Sequence, residues 1–195
     1  TTLFRSIRLY SDMLTISKET KITYKRQLKA LLVVGNTMLN PGDKIIEDRF
    51  IDKGFEVTII DDNIVKKTNA IGQDIILMSS TINPDAIGEE LTHNISVPVL
   101  SWNPFSYQHL RLTGRSYETQ FGYTPTAYTT ASIPATASSH PMAAGLTGNV
   151  PLYYILQKLP FGAPSEGDAI VIAKAGERAL IFGNDKMTGA SPASH

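Results

Sequence analysis

Residues 30–35, ALLVVG, form a short continuous apolar run that ends in glycine, and this run decides the predicted fold. Aliphatic and β-branched side chains without polar alternation are typical of a strand that is buried on both faces, as in parallel sheets. The next segment, residues 36–54, carries the signals of a helix. Asn40 is a good N-cap, Pro41 suits the first helical position, and Gly54 supplies a stop. The sequence therefore predicts a strand–helix unit here.

Three more apolar runs follow at helix-length intervals. We predict strands at residues 55–62 (FEVTIIDD), 74–80 (DIILMSS) and 97–102 (VPVLSW), with a weak helical turn at 63–70 and a second helix at 83–94. Strands that alternate with helical segments indicate parallel βαβ units with right-handed crossovers. The predicted fold class is therefore α/β, a flavodoxin-like, doubly wound and mainly parallel sheet.

The composition changes after Trp102. Residues 103–136 are rich in Thr, Tyr, Pro and Gly, which predicts loops and short antiparallel strands. Further strands are predicted at residues 150–155 (VPLYYI), 169–175 and 178–185, and the last two are separated by a hairpin-turn signal. We therefore expect antiparallel strands to be added in the C-terminal half.

Residues 1–28 have no clean hydrophobic period, so we predict a basic N-terminal extension there and one α/β domain in residues 29–195. Residues 1–30 hold seven Lys or Arg and two acidic residues, a balance of 7 − 2 = +5, and the net charge of zero leaves −5 for the remainder. A basic arm can lie on the acidic body of its own chain. If it lies instead on the acidic body of a neighbouring copy, the result is a homo-oligomer. With no net charge, nucleic acid is not an expected partner.

Composition also excludes several kinds of site. The chain has no Cys, so it has no disulfide, thiolate nucleophile or Cys-based zinc site. No run reaches the roughly 18 apolar residues of a membrane span. The four His are far apart in sequence, and neither GxGxxG nor a P-loop occurs, so no metal or cofactor is predicted. Three carboxylates at predicted strand ends could gather at one edge and bind a hard cation, and we keep this alternative: Asp61, Asp62 and Asp185.

Several segments, in their order, resemble class I glutamine-amidotransferase-like, flavodoxin-like domains. The resemblance is to the trehalose-utilisation (ThuA-like) branch and to related domains attached to secreted bacterial hydrolases. The matching segments are ALLVVGNTMLNPGD, GFEVTIIDD, DIILMSSTI, VPVLSWNPFSY, SHPMAAGLTG and RALIFGNDK. The resemblance implies a further strand and helix after the last segment, so we expect the domain to be truncated at its C-terminus. It also suggests a secreted protein.

The resemblance implies a Cys nucleophile after a central strand, with a downstream His and an acidic partner. The corresponding strand here ends in Ser101, Trp102 and Asn103. Glutamine hydrolysis by that route is therefore excluded by residue chemistry.

Two interpretations remain for His140, which precedes Pro141. It can cap the short turn that follows, or it can act as a base or ligand at the carboxyl edge of the strands. Ser79 and Ser80 end a predicted strand, so a hydrolase could combine one of them, or a metal, with His140. The alternative is that these hydroxyls cap the strand end.

Aromatic residues concentrate between residues 102 and 128, which hold seven of the chain's 16. Aromatic faces beside amides and hydroxyls are typical of a carbohydrate-binding surface, although the same rings could pack a sheet edge. We predict a non-catalytic binding or scaffolding module, whose partner is a carbohydrate or a neighbouring domain of a longer chain; the alternative is the hydrolase. The candidate ligand-binding residues are Asn36, Ser79, Trp102, Asn103, His140 and Asp185.

Overall fold

The computed structural model describes residues 26–87, 91, 95–164 and 169–184. They form one helix with complete bounds, α1 (Pro41–Asp52), and two separate sheets. The strands of the first sheet are β1 (Leu28–Val34), β2 (Phe55–Asp61), β3 (Ile75–Met78) and β4 (Val99–Ser101). Those of the second sheet are β5 (Phe121–Tyr123), β6 (Thr130–Ile133), β7 (Gly148–Pro151), β8 (Pro160–Gly162), β9 (Ala169–Ala175) and β10 (Arg178–Asn184).

The first sheet is parallel throughout and has the order β2-β1-β3-β4. All four predicted runs are strands in it, so the prediction of side-by-side parallel strands is confirmed. Successive side chains of β1 alternate between two apolar clusters, one containing Leu31 and Val33 and the other Leu32 and Val34. The chain leaves β1 toward β2 on one side and later returns to β3 on the other, so the order of strands reverses between β1 and β3.

Helix α1 begins as the sequence predicts. The side chain of Asn40 accepts a hydrogen bond from the backbone N–H of Asp43 at 2.9 Å, and Pro41 occupies the first helical position. Gly54 ends the helical segment with φ of +85°, a conformation that favours glycine. Ile46 and Phe50 pack on one face of the parallel sheet, in the cluster that contains Leu32 and Val34.

The doubly wound arrangement is not shown. Within the described ranges, α1 is the only complete α-helix, and the predicted turn at 63–70 is a short 3-10 helix, Lys67–Ala70. Half of the second predicted helix, residues 88–90 and 92–94, lies outside the described residues, as do residues 1–25 of the predicted extension. Leu28, the last residue of the predicted extension, belongs to β1.

The predicted antiparallel strands do form, but as a sheet of their own rather than as additions to the parallel one. Its order is β5-β8-β10-β9-β6-β7, and all its pairings are antiparallel. The predicted hairpin turn between β9 and β10 is present, with Gly176 at a φ of +54°. Ala131, Ile133 and Ile172 are among the buried residues of this sheet's core.

The strand predicted at residues 150–155 is wrong in its position. Strand β7 ends at Pro151, and the chain then leaves the ladder. Leu152 and Tyr153 both donate their N–H groups to the carbonyl of Thr129, at 2.8 and 3.2 Å, which breaks the alternating pattern of a strand. The residues beyond are exposed, so their apolar character does not reflect burial in a sheet.

Residues 103–107 join the two sheets. A 3-10 turn, Pro104–Ser106, begins three residues after the end of β4 and packs on β5 and β8 of the antiparallel sheet. The ring of Tyr107 then meets Phe182 of β10 edge-on, with centroids 5.4 Å apart. No helix in the described part of the chain is long and apolar enough to cross a bilayer.

Candidate functional site

A buried carboxylate lies at the carboxyl edge of the parallel sheet. Asp43, in the first turn of α1, is 3% exposed and accepts hydrogen bonds from the hydroxyls of Ser79 at 2.5 Å and Thr81 at 3.2 Å. The side-chain amide of Asn40 donates to the same carboxylate at 3.0 Å. Its place at a helix N-terminus also favours the negative charge. Asp43 therefore ties α1 to the loop that follows β3.

The β1–α1 loop approaches this β3 loop at the point where the strand order reverses. Gly35 donates its N–H to the Thr81 hydroxyl at 3.1 Å. A Cβ at Gly35 would lie 2.3 Å from the Thr81 carbonyl oxygen, so only glycine fits this contact. A shallow cavity of about 240 Å³ opens beside it, lined by Gly35, Asn36, Met38, Asn40, Asp43 and Thr81. In open α/β sheets, this crevice is the usual ligand position.

A second buried carboxylate, Asp62, lies after β2 and is 2% exposed. It accepts the backbone N–H of Asn83 at 2.5 Å and the side-chain amide of Asn63 at 2.7 Å. Hydrogen bonds from the side chain and backbone of Asn63 lower the pKa of the neighbouring Asp61. Asp185 lies outside the described residues, and within the described ranges no three His, Asp or Glu side chains gather as a metal site.

Asn103, predicted as a ligand-binding residue, is 3% exposed. Its amide donates to the carbonyls of Ser80 at 3.3 Å and Ile82 at 3.0 Å, and its Oδ1 accepts the N–H of Phe105 at 2.9 Å. Asn103 thus fixes the end of β4 to the β3 loop and caps the turn that carries Phe105. The Asn103 side chain therefore stabilises the local backbone, and this backbone positions the aromatic residues that follow.

Four rings from the predicted aromatic segment gather beside this turn. The ring of Phe105 stacks on Tyr117 at 5.8 Å and 19°, and meets Phe121 and Tyr123 edge-on at 6.1 and 6.3 Å. Phe121 is 4% exposed, whereas Phe105, Tyr117 and Tyr123 are 40%, 51% and 43% exposed. We call the three exposed rings the aromatic patch. Phe121 is the buried base on which they pack.

The loop that carries Tyr117 is held in place by the backbone and by one arginine. Glu118 donates its N–H to the Phe121 carbonyl at 2.8 Å. Arg178 donates to the carbonyls of Thr119 at 2.7 Å and Glu118 at 3.3 Å, and its guanidinium lies 4.4 Å from the centre of the Phe161 ring. The aromatic patch is therefore preorganised.

His140 caps the turn Pro141–Ala143. Its Nδ1 accepts the backbone N–H of Met142 at 3.2 Å, as the capping interpretation predicts. The Ser79 hydroxyl is fully buried and donates to Asp43. Ser80 is exposed, and Asn36 is exposed with its Oδ1 accepting the Met38 N–H at 2.8 Å. The described bonds therefore do not assemble a Ser–His pair.

Trp102, another predicted ligand-binding residue, is half-buried and packs against the cluster that contains Leu32 and Leu77. Sequence reasoning missed the central role of Asp43, and it considered Asp62 only as one of the carboxylates at strand ends. The run Ser79-Ser80-Thr81 after β3 was the available signal, because a hydroxyl that is buried at a strand end, as that of Ser79 is, needs a hydrogen-bond partner.

Comparison with known protein families and with curated proteins gives no match to this chain.

Proposed function

We propose that this chain is a non-catalytic binding module of the flavodoxin-like, amidotransferase-like class, and that it binds a neutral carbohydrate on the aromatic patch. The observation that carries the proposal is the cluster of three half-exposed rings on a buried aromatic base. Sugar CH groups stack on aromatic faces, while hydroxyls bond to nearby amides and carbonyls.

Preorganisation supports this function. A binding surface gains affinity when its side chains lose little freedom on contact with the ligand. Tyr117 lies on a loop whose carbonyls are bonded by Arg178, and Phe105 follows the capping side chain of Asn103. The aromatic patch also continues from the carboxyl edge of β4, which is the edge where α/β sheets bind ligands.

The bonding of the hydroxyl and imidazole candidates favours binding over hydrolysis. A serine nucleophile must reach the substrate and must have a base within hydrogen-bond distance. Ser79 is fully buried and its proton is directed at Asp43, and the Nδ1 of His140 is bonded to its own turn. These side chains act in the proposed module as structural groups.

Isothermal titration calorimetry with a panel of neutral oligosaccharides tests the proposal. We expect heat of binding with one class of sugar, and Tyr117→Ala should weaken that binding by about tenfold or more because it removes a stacking face. Tyr153→Ala is the matched control, since Tyr153 has the same exposed fraction, 51%, and lies outside the patch. The absence of heat with every sugar at millimolar concentration would refute carbohydrate binding.

A further inference from the structure

A second surface, unrelated to the aromatic patch, stands out between β7 and β8. Residues 152–156, LYYIL, are five consecutive large apolar residues, and every one of them is exposed. We call this segment the apolar loop. The exposed fractions are 43% for Leu152, 51% for Tyr153, 107% for Tyr154, 68% for Ile155 and 67% for Leu156. A continuous exposed apolar stretch of this kind marks an interaction site.

The apolar loop is held at its base by backbone hydrogen bonds. Tyr128 and Gln157 exchange N–H and carbonyl groups at 2.7 and 3.0 Å, and Leu152 donates to Thr129 at 2.8 Å. The ladder therefore closes the base of the loop, while the side chains of residues 152–156 stay exposed.

The sequence around the apolar loop carries almost no charge. Between Glu118 and Glu166 the only Lys, Arg, Asp or Glu is Lys158, which is exposed and lies two residues after the loop. A segment that enters a low-dielectric medium must lose the hydration of its charges, and the apolar loop itself carries none. Lys158 can keep its ammonium in water or bond a lipid phosphate while its stem lies on apolar surface.

We propose that the apolar loop inserts into the interfacial region of a lipid bilayer. Five successive side chains are all exposed, so a flat protein partner would cover only some of them, whereas lipid surrounds them all. Leu and Ile enter the acyl boundary, and the tyrosine hydroxyls remain at the headgroups, which is where tyrosine concentrates in membrane proteins. This surface is independent of the proposed carbohydrate site.

Flotation of the full chain with vesicles of phosphatidylcholine alone tests the proposal. We expect the chain to float with the vesicles, and Tyr154→Ser/Ile155→Ser to lower its partition coefficient by roughly tenfold or more. The matched control is Ile64→Ser/Ile71→Ser, because these two isoleucines are 64% and 77% exposed on the parallel-sheet half. The control should float like the unmodified chain.

The outcomes separate this proposal from its competitors. Flotation that persists at high salt supports insertion, because apolar contacts are not screened; flotation that disappears with salt would mean surface attraction through basic residues and would overturn it. No flotation of the unmodified chain, or equal loss in the loop variant and the control, would also overturn it. Sedimentation without vesicles completes the test: a lower mass for the loop variant would assign the loop to self-association instead.

Discussion

At the scale of single residues, Asp43 is the most consequential side chain at the carboxyl edge of the parallel sheet. It is almost completely buried, yet three side chains, Asn40, Ser79 and Thr81, donate to its two oxygens. A buried carboxylate is tolerated when it is bonded in this way, and its removal leaves the donors without acceptors.

Asp43→Ala is therefore expected to lower the free energy of unfolding by about 2–4 kcal/mol, because it leaves the fully buried Ser79 hydroxyl without its acceptor and removes the bonds from Thr81 and Asn40. Urea denaturation measures the change. Asp48→Ala, on the same helix but 55% exposed in its side chain, should change stability by less than about 1 kcal/mol. Equal effects of the two substitutions would mean that the buried carboxylate is not what fastens the β3 loop.

The sequence predicted some of these residues and not others for identifiable reasons. Asn40 and Pro41 act locally, so their roles follow from adjacent residues. The bonds from Asp43 to Ser79 and Thr81 span 36 and 38 positions, and local patterns carry no information about such a pairing. The His140 cap was predictable because its partner, Met142, is two residues away.

At the scale of elements, the β1–α1 loop and the β3 loop fit together through one glycine. Gly35 has no side chain, and this lets its backbone meet that of Thr81. The four parallel strands were predictable because buried strands are continuous apolar runs. Residues 150–155 have the same composition, but no neighbouring strand covers the second part of that run, so it became a loop.

Gly35→Ala is expected to destabilise the fold by about 1–3 kcal/mol, because the added methyl group would overlap the Thr81 carbonyl and push the two loops apart. Thermal denaturation followed by circular dichroism measures the loss. Gly183→Ala is the matched control, since a Cβ there meets no atom within 4 Å. The close-contact explanation fails if both variants melt at the temperature of the unmodified chain.

At the scale of the whole molecule, the two sheets have separate apolar cores and meet through residues 103–107. Sequence composition marked the change at Trp102, but it could not show that the antiparallel strands form a second sheet, since strand pairing depends on distant partners. Tyr107 lies at this junction against Phe182, and its burial, with a smaller contribution from Tyr123, raises its pKa to about 12.

This pKa predicts a loss of stability at alkaline pH. The unfolded chain releases the Tyr107 proton near pH 10.0, whereas the folded chain holds it until about pH 12. The stability that the buried, neutral Tyr107 phenol contributes is therefore complete below pH 10. It is lost as the pH rises toward 12, and the free energy of unfolding then falls by about 2–3 kcal/mol.

Urea denaturation below pH 10 and near pH 12 measures that loss. Tyr107→Phe should show a smaller decline across this window because it has no phenol to ionise, and Tyr153→Phe, on an exposed tyrosine, should follow the unmodified chain. An unchanged decline in Tyr107→Phe would show that alkaline unfolding starts elsewhere.

The order of strands in the second sheet also sets a distance. Tyr123, in the aromatic patch, belongs to β5 at one margin, and the apolar loop continues from β7 at the other. Five strand spacings of about 4.8 Å put roughly 24 Å between these margins, measured along the sheet. The sheet thus separates the two surfaces, so that a molecule held at one margin leaves the opposite one unobstructed.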